Sequence, residues 1–244
     1  MGKRIAILQS NYIPWKGYFD LINFVDEFII YDTAQFTKND WRNRNKIKTP
    51  NGQLWLSIPV VHNFGQLIQD VVISDPTWSR KHWNSLSQNY AKAACFKFYK
   101  SRFEKLYRDC SGETRLSNIN YRFMMEICEV LSIKTPVTWS SDYRLVEGRT
   151  ERLVDLCKQA GADEYLSGPA ARSYIDATRF AEAGIKLIYI DYSGYPEYPQ
   201  IHPPFEHGVS IVDLIFNTGP EAPGYMKSFV GSAGGRKSIS SGAQ

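Results

Sequence analysis

RIAILQSNYIPWKGYFDLINFVDEFIIYD, residues 4–32, changes its periodicity twice. Residues 4–9 form an apolar run short enough for a buried strand. From 17 to 25, Tyr18, Leu21, Ile22 and Val25 recur at helical spacing, and 27–32 is a second apolar run ending in a carboxylate. Strand, helix and strand in so short a stretch read as a βαβ unit, which predicts parallel pairing and a right-handed crossover. Between the first strand and the helix sits a bend carrying Asn11, Pro14 and Gly17. Ligands of open parallel sheets bind beyond the carboxyl ends of the strands. A glycine at the helix start lets a phosphate approach the backbone N–H groups there. The competing reading is a tight turn shaped by Pro14 and Gly17, with Trp15 packing over it.

Outward from this unit the pattern stays α/β. Residues 36–61 read as a basic hairpin with a turn at Pro50-Asn51-Gly52, and 77–131 as a helical insertion in which Ile119, Phe123, Ile127 and Leu131 form one core stripe. Strands are expected at 135–142, 164–166 and 186–191. Helices are expected to stop at Gly161 and Gly184, and the last to be capped by Ser210 and to end near Gly219. The Gly/Ser-rich residues 231–244 read as a flexible tail. The whole is expected to be a single α/β domain over residues 1–230, built on a Rossmann-like parallel sheet.

The composition narrows the function. With 29 basic and 25 acidic residues the net charge is +4, a bias too mild and dispersed for a nucleic-acid surface. The four cysteines, at 95, 110, 128 and 157, have no C-x-x-C spacing, so neither a zinc clip nor a disulfide framework is expected, and no metal site. No apolar run reaches the roughly 18 residues of a membrane span, and the N-terminus lacks the apolar stretch of a signal peptide. A cytoplasmic protein without stable membrane insertion follows, open to homo-oligomer formation.

The bend resembles the first motif of the nucleotidylyltransferases that carry the (H/T)-x-G-H signature on a Rossmann-like fold. The matching residues here are Trp15, Lys16, Gly17 and Tyr18, so the glycine stands and both imidazole positions are replaced. The second motif of that superfamily, I-S-S-T-x-x-R, is echoed by LSGPAAR, residues 166–172, with Ser167 and Arg172 in register and Gly168-Pro169 in place of Ser-Thr. Serine and arginine at a helix start suit an anion.

Over nearly all of residues 4–219 the chain resembles the WbqC-like family of bacterial O-antigen and other surface-polysaccharide gene clusters. The resemblance rests on QSNYIPWKGYFDLI, DTAQFTKNDWRNRNKIKTPNGQLWLSIPV, KHWNSLSQNY, YLSGPAARSYID and SIVDLIFNTGP. It implies a cytoplasmic bacterial protein that makes or modifies a sugar for a glycan. The expected activity is a transferase moving an acyl or aminoacyl group to an amino sugar, a nucleotide-linked amino sugar being the expected substrate. The donor is left open between acyl-CoA, a carrier-protein thioester and ATP. The alternatives are nucleotidyl transfer, with Lys16, Lys46 and Arg172 supplying the charge, and a non-catalytic partner of a polysaccharide enzyme.

Candidate site residues follow. His82 or His62 would serve as general base. Asp32, with Gln35, follows the second strand, where carboxylates meet ribose or substrate hydroxyls, although a turn cap reads equally well. Gln9, Asn11, Tyr12, Pro14, Trp15, Lys16, Gly17 and Tyr18 surround the bend. Arg42, Asn43, Arg44 and Lys46 would clamp a diphosphate. Ser167, Gly168 and Arg172 would bind an anion. Tyr195 and Gln200, beyond the last strand, would face a sugar ring or base, or else only order their loop. His202 and His207 read as structural.

Overall fold

In the computed structural model, which describes residues 2–230, five parallel strands form the central sheet. They are β1 (Arg4–Leu8), β2 (Glu27–Ile30), β7 (Val137–Trp139), β8 (Glu164–Ser167) and β9 (Lys186–Tyr189), in the order β7-β2-β1-β8-β9. Taken in chain order this is the 3-2-1-4-5 arrangement of a Rossmann-like sheet, with the order reversing between β1 and β8. The opening stretch is the β1-α1-β2 unit, with α1 at Lys16–Asn23. The Arg4 guanidinium pins the start of β1 to β8 through Glu164 at 2.7 Å.

The chain between β2 and β7 leaves the sheet. It builds the hairpin β3 (Arg44–Thr49) and β4 (Gly52–Ser57), then the short pair β5 (Val60–Val61) and β6 (Val72–Ile73). Three helices follow: α2 (Trp78–Tyr90), α3 (Phe96–Asp109) and α4 (Leu116–Val130). Ile119, Phe123, Ile127 and Leu131 are all buried, as their helical spacing requires. With α1 and α7 (Ile211–Thr218, capped by Ser210) these helices enclose an aromatic-rich core. A second core joins α5 (Arg149–Gln159) and α6 (Ala177–Glu182) to the sheet, with Tyr165 stacked on Phe180 at 5.2 Å.

Several boundaries differ from the sequence pattern. The strand expected over 135–142 closes at Trp139 and continues as a 3-10 turn, because Asp142 accepts the Trp139 N–H and bends the chain. The helix stopped at Gly184 begins only at Ala177, with Asp176 capping the Thr178 N–H. The tail expected from Gly231 lies outside the described residues.

Candidate functional site

The bend after β1 is strained and tightly held. Ile13, a β-branched residue, has φ +36°, a conformation such side chains rarely take. The Asn45 Nδ2 donates to the Tyr12 and Ile13 carbonyls at 3.2 and 2.9 Å. The Tyr12 N–H donates to the Trp41 carbonyl, and the Ile211 N–H to that of Pro14. At about 0.5–1.5 kcal/mol each, four such bonds outweigh the roughly 1–3 kcal/mol of local strain.

Asp32 is the anchor beneath the bend. It is buried, and it accepts the Ser10 N–H at 2.8 Å, the Ser10 hydroxyl at 2.6 Å and the Ser117 hydroxyl. Burial pushes its carboxyl above the usual range, against the pull of those hydrogen bonds. Ser10 in turn accepts from Asn120 Nδ2, which also donates to the Arg42 carbonyl. The catalytic expectation for Asp32 is therefore corrected: its oxygens hold the bend rather than face a ligand.

Two cavities flank this bend. The first, of about 570 Å³, lies at the carboxyl ends of β1 and β2, beside β8 and so at the switch point. Gln9, Tyr31, Gln35 and Thr37 line it from the sheet side, and Arg149, Arg152 and Tyr174 from the other. Arg149 opens α5, and its guanidinium lies 3.6 Å from the Tyr174 ring centre; Arg152 donates to the Val146 carbonyl. Two arginines in the first turn of a helix oppose the helix dipole, which Glu151 between them favours. An anion at the same place would gain from both the dipole and the guanidinium groups. A groove of about 710 Å³ between α3 and α4 lies at the amino end of β7, the wrong end of the sheet for this rule.

The second cavity, of about 300 Å³, is walled by Trp15, Trp41 and Pro14, with Asn11, Asn45 and Gly208. Behind it Trp41 packs on Trp55 at 5.4 Å. The Arg44 guanidinium and Lys46 ammonium lie over the Trp55 ring at 4.3 and 5.2 Å. Buried polar atoms without a hydrogen-bond partner concentrate around this side of the bend: Asn11 Oδ1, Arg42 Nε, Asn43 Oδ1, Arg44 Nε and Asn120 Oδ1.

The structure thus divides the residues expected to act together. Gln9 and Gln35 reach the first cavity; Asn11, Pro14 and Trp15 reach the second. The clamp of four polar residues is split where β3 begins: Arg44 and Lys46 lie on the strand, and Arg42 and Asn43 in the turn before it. Arg44 and Lys46 share the outer face, whereas Arg42 is buried against the Ser10 carbonyl and Asp40, and Asn43 donates to the Ile58 carbonyl.

The helix start at Gly17 is closed. A Cβ there would lie 2.3 Å from the Trp15 ring, so the absent side chain admits the indole rather than a phosphate. Lys16 is buried, donating to the Pro196 carbonyl at 3.1 Å beneath the rings of Tyr195 and Tyr198. That burial pulls its ammonium down to about 8. Tyr18 is buried and donates to the Gln9 carbonyl.

Other expectations are corrected by burial. His82 Nε2 lies 3.2 Å from the Ser57 carbonyl and Nδ1 2.9 Å from the Tyr12 hydroxyl, itself 2.7 Å from that of Tyr107. A carbonyl only accepts, so Nε2 carries the proton, Nδ1 accepts from Tyr12, and Tyr107 donates to Tyr12. No lone pair of His82 is left for a substrate, and burial pulls its imidazole down to about 4. Tyr195 gives its hydroxyl to buried Asp20 at 2.6 Å, and Gln200 donates to Asp213 and Tyr198, so both pin the 190–209 loop.

The echo motif is no helix start of useful length. Residues Pro169–Ser173 are a single 3-10 turn after Gly168, Ser167 is buried, and Arg172 lies over the Tyr189 ring. His62 packs on Phe36, the neighbour of Gln35, at 4.9 Å between ring centres. His202 bonds the Asn89 carbonyl, and the His207 ring packs on Phe205.

Among the described residues there is no cluster of three or more metal-ligating side chains, and no helix is long and apolar enough to cross a membrane. Tyr31, Thr37, Arg149, Arg152 and Tyr174 were not singled out from the sequence. The signal available for them was the pair of arginines at the start of RTERLVDL.

A model of the WbqC-like protein family matches residues 9–225. An uncharacterized protein of Mycobacterium tuberculosis (strain ATCC 25618 / H37Rv), Rv1507c, is 49% identical over 227 residues, covering 92% of this chain and 98% of that one. No solved structure matches.

Proposed function

The chain belongs to the WbqC-like protein family, and from that premise we propose that it is a transferase acting on a nucleotide-linked amino sugar, to which it adds an acyl or aminoacyl group. The setting of this reading is the cytoplasmic assembly of a bacterial surface glycan such as O-antigen. The observation that carries it is the cavity at the switch point, with its two arginines at the α5 N-terminus. Arg149 and Arg152 take the diphosphate, Tyr31 and Tyr174 offer ring faces to the base, and Gln9, Gln35 and Thr37 bond the hydroxyls. A cavity of about 570 Å³ falls within the size range of small-molecule sites.

In the transfer, the sugar's amine nitrogen attacks the donor's carbonyl carbon, the bond to the leaving group breaks, and the amine proton passes to a base and on to the leaving group. His62 is the imidazole assigned to that role, since His82 has no free nitrogen. Nucleotidyl transfer at α1 has less support, because Trp15 closes the helix start and Tyr18 is buried.

The test is incubation with a nucleotide-linked 3-amino or 4-amino sugar and candidate donors, followed by mass spectrometry. An N-acylated or N-aminoacylated sugar nucleotide is expected. Tight nucleotide-sugar binding with no product from any acyl-CoA, carrier thioester, or acid plus ATP would refute the acyl-transfer reading.

A further inference from the structure

The transferase reading needs a second substrate, and the cavity on the far side of the bend has the chemistry for one. Its walls are the indoles of Trp15 and Trp41, and it holds about 300 Å³. Asn11 also lines it, and its Oδ1 is enclosed by the protein without a hydrogen-bond partner. Next to Trp41 stand Arg44 and Lys46, on Trp55, with no carboxylate in ion-pair contact with either among the described residues.

We propose that this cavity binds the adenine nucleotide part of the acyl donor, with the base against Trp15 and Trp41 and the phosphates on Arg44 and Lys46. Indole faces stack on any base. Adenine is the base in question because both donors that fit the transferase reading, ATP and coenzyme A, carry it. Arg44 and Lys46 alternate along β3, so both face the same side of the hairpin as Trp55 and can meet a phosphate chain together. Gln9 lines one cavity and Asn11 the other, so residues 9–11 stand between the two substrates.

ATP and coenzyme A share this chemistry, and calorimetric titration of the full chain separates them. The probes are ATP, coenzyme A, adenosine, UDP and glucose 1-phosphate. ATP or coenzyme A is expected to bind well ahead of glucose 1-phosphate, UDP is expected to bind in the other cavity and to be unaffected by Trp41→Ala, and the tighter of ATP and coenzyme A identifies the donor. Trp41→Ala is expected to weaken that binding by about 10-fold or more. Trp41 is 40% exposed, so its loss leaves the core intact. Arg44→Ala is expected to weaken ATP and coenzyme A about 10-fold while leaving adenosine unchanged. Arg149→Ala, in the other cavity, is expected to leave all adenine ligands unchanged.

Three results overturn the proposal: no binding of ATP or coenzyme A, binding that survives Trp41→Ala, or glucose 1-phosphate binding as tightly. If the adenine ligand binds as described but no acylated sugar forms, the adenine site stands and the transferase reading alone falls.

Discussion

Replacing Lys16 by methionine removes a buried ammonium while keeping an unbranched chain of similar length. In the folded protein burial pulls the lysine from 10.5 to about 8. At about 1.36 kcal/mol per unit, that is roughly 3 kcal/mol acting against the folded state at neutral pH. Between pH 8 and 10.5 the unfolded chain holds the proton that the folded chain has released, so stability rises with pH across that window; below pH 8 both hold it and the full penalty applies. From pH 7 to 9.5 the wild type should therefore gain about 2 kcal/mol relative to Lys16→Met. The tyrosine faces above the ammonium work in the opposite sense, at about 0.5–2 kcal/mol each. Loss of the hydrogen bond to the Pro196 carbonyl lowers the variant's stability at every pH and does not alter the slope. Urea unfolding of both proteins at pH 7.0, 8.0 and 9.5 measures the difference, and phenol titration in the unfolded chain cancels between them. A gap that changes by less than about 0.5 kcal/mol would mean that the rings of Tyr195 and Tyr198 fully replace water around the ammonium, and the argument would fail.

Three further outcomes can be measured. The His82 contribution to wild-type stability should fall by about 3 kcal/mol as pH drops from 6.5 to about 4, because the unfolded chain protonates His82 while the fold keeps it neutral; a His82→Gln variant, titrated in urea alongside, should lack that share of the slope, and parallel curves would refute it. Asn45→Asp removes both donors from the Tyr12 and Ile13 carbonyls and should cost about 2–4 kcal/mol in urea midpoint analysis, whereas a loss below 1 would show that the bend holds itself. Gly17→Ala should destabilise by about 1–3 kcal/mol despite alanine's better helix propensity, because the Trp15 indole is confined by the rings of Tyr192 and Tyr195. An unchanged or raised urea midpoint would show that the indole has room to move.

What the sequence revealed and what it hid divide along one physical line. The β1-α1-β2 unit was legible because each segment shows its own period and the connections are short. The burial of the α4 stripe follows from the same local rule. The reversal between β1 and β8 was not legible, since strand pairing across that point joins residues about 160 positions apart, as in Arg4 with Glu164. The same distance hid the site. The tyrosines and glutamine of the 190–209 loop look like a ligand platform until Asp20 and Asp213 are seen beneath them. RNRNK looks like one cationic clamp until the turn before β3 buries Arg42 and leaves Arg44 and Lys46 on the strand.

The Trp15-Lys16-Gly17-Tyr18 corner is the sharpest case, because composition there fits two structures equally. A glycine at a helix start is required either for a phosphate to approach or for a neighbouring side chain to fold back, and only the position of the Trp15 ring decides between them. Once the indole occupies that space, the helix terminus is closed and the lysine is turned toward Tyr195 and Tyr198. The other edge of the indole then becomes a wall of the second cavity. A Rossmann-like sheet whose first helix start is closed still has the carboxyl ends of its strands open, and here two arginines stand across the crevice, at the start of α5. On the proposed function, the ligand takes the scaffold's usual position while the groups that bind its anion come from a different helix.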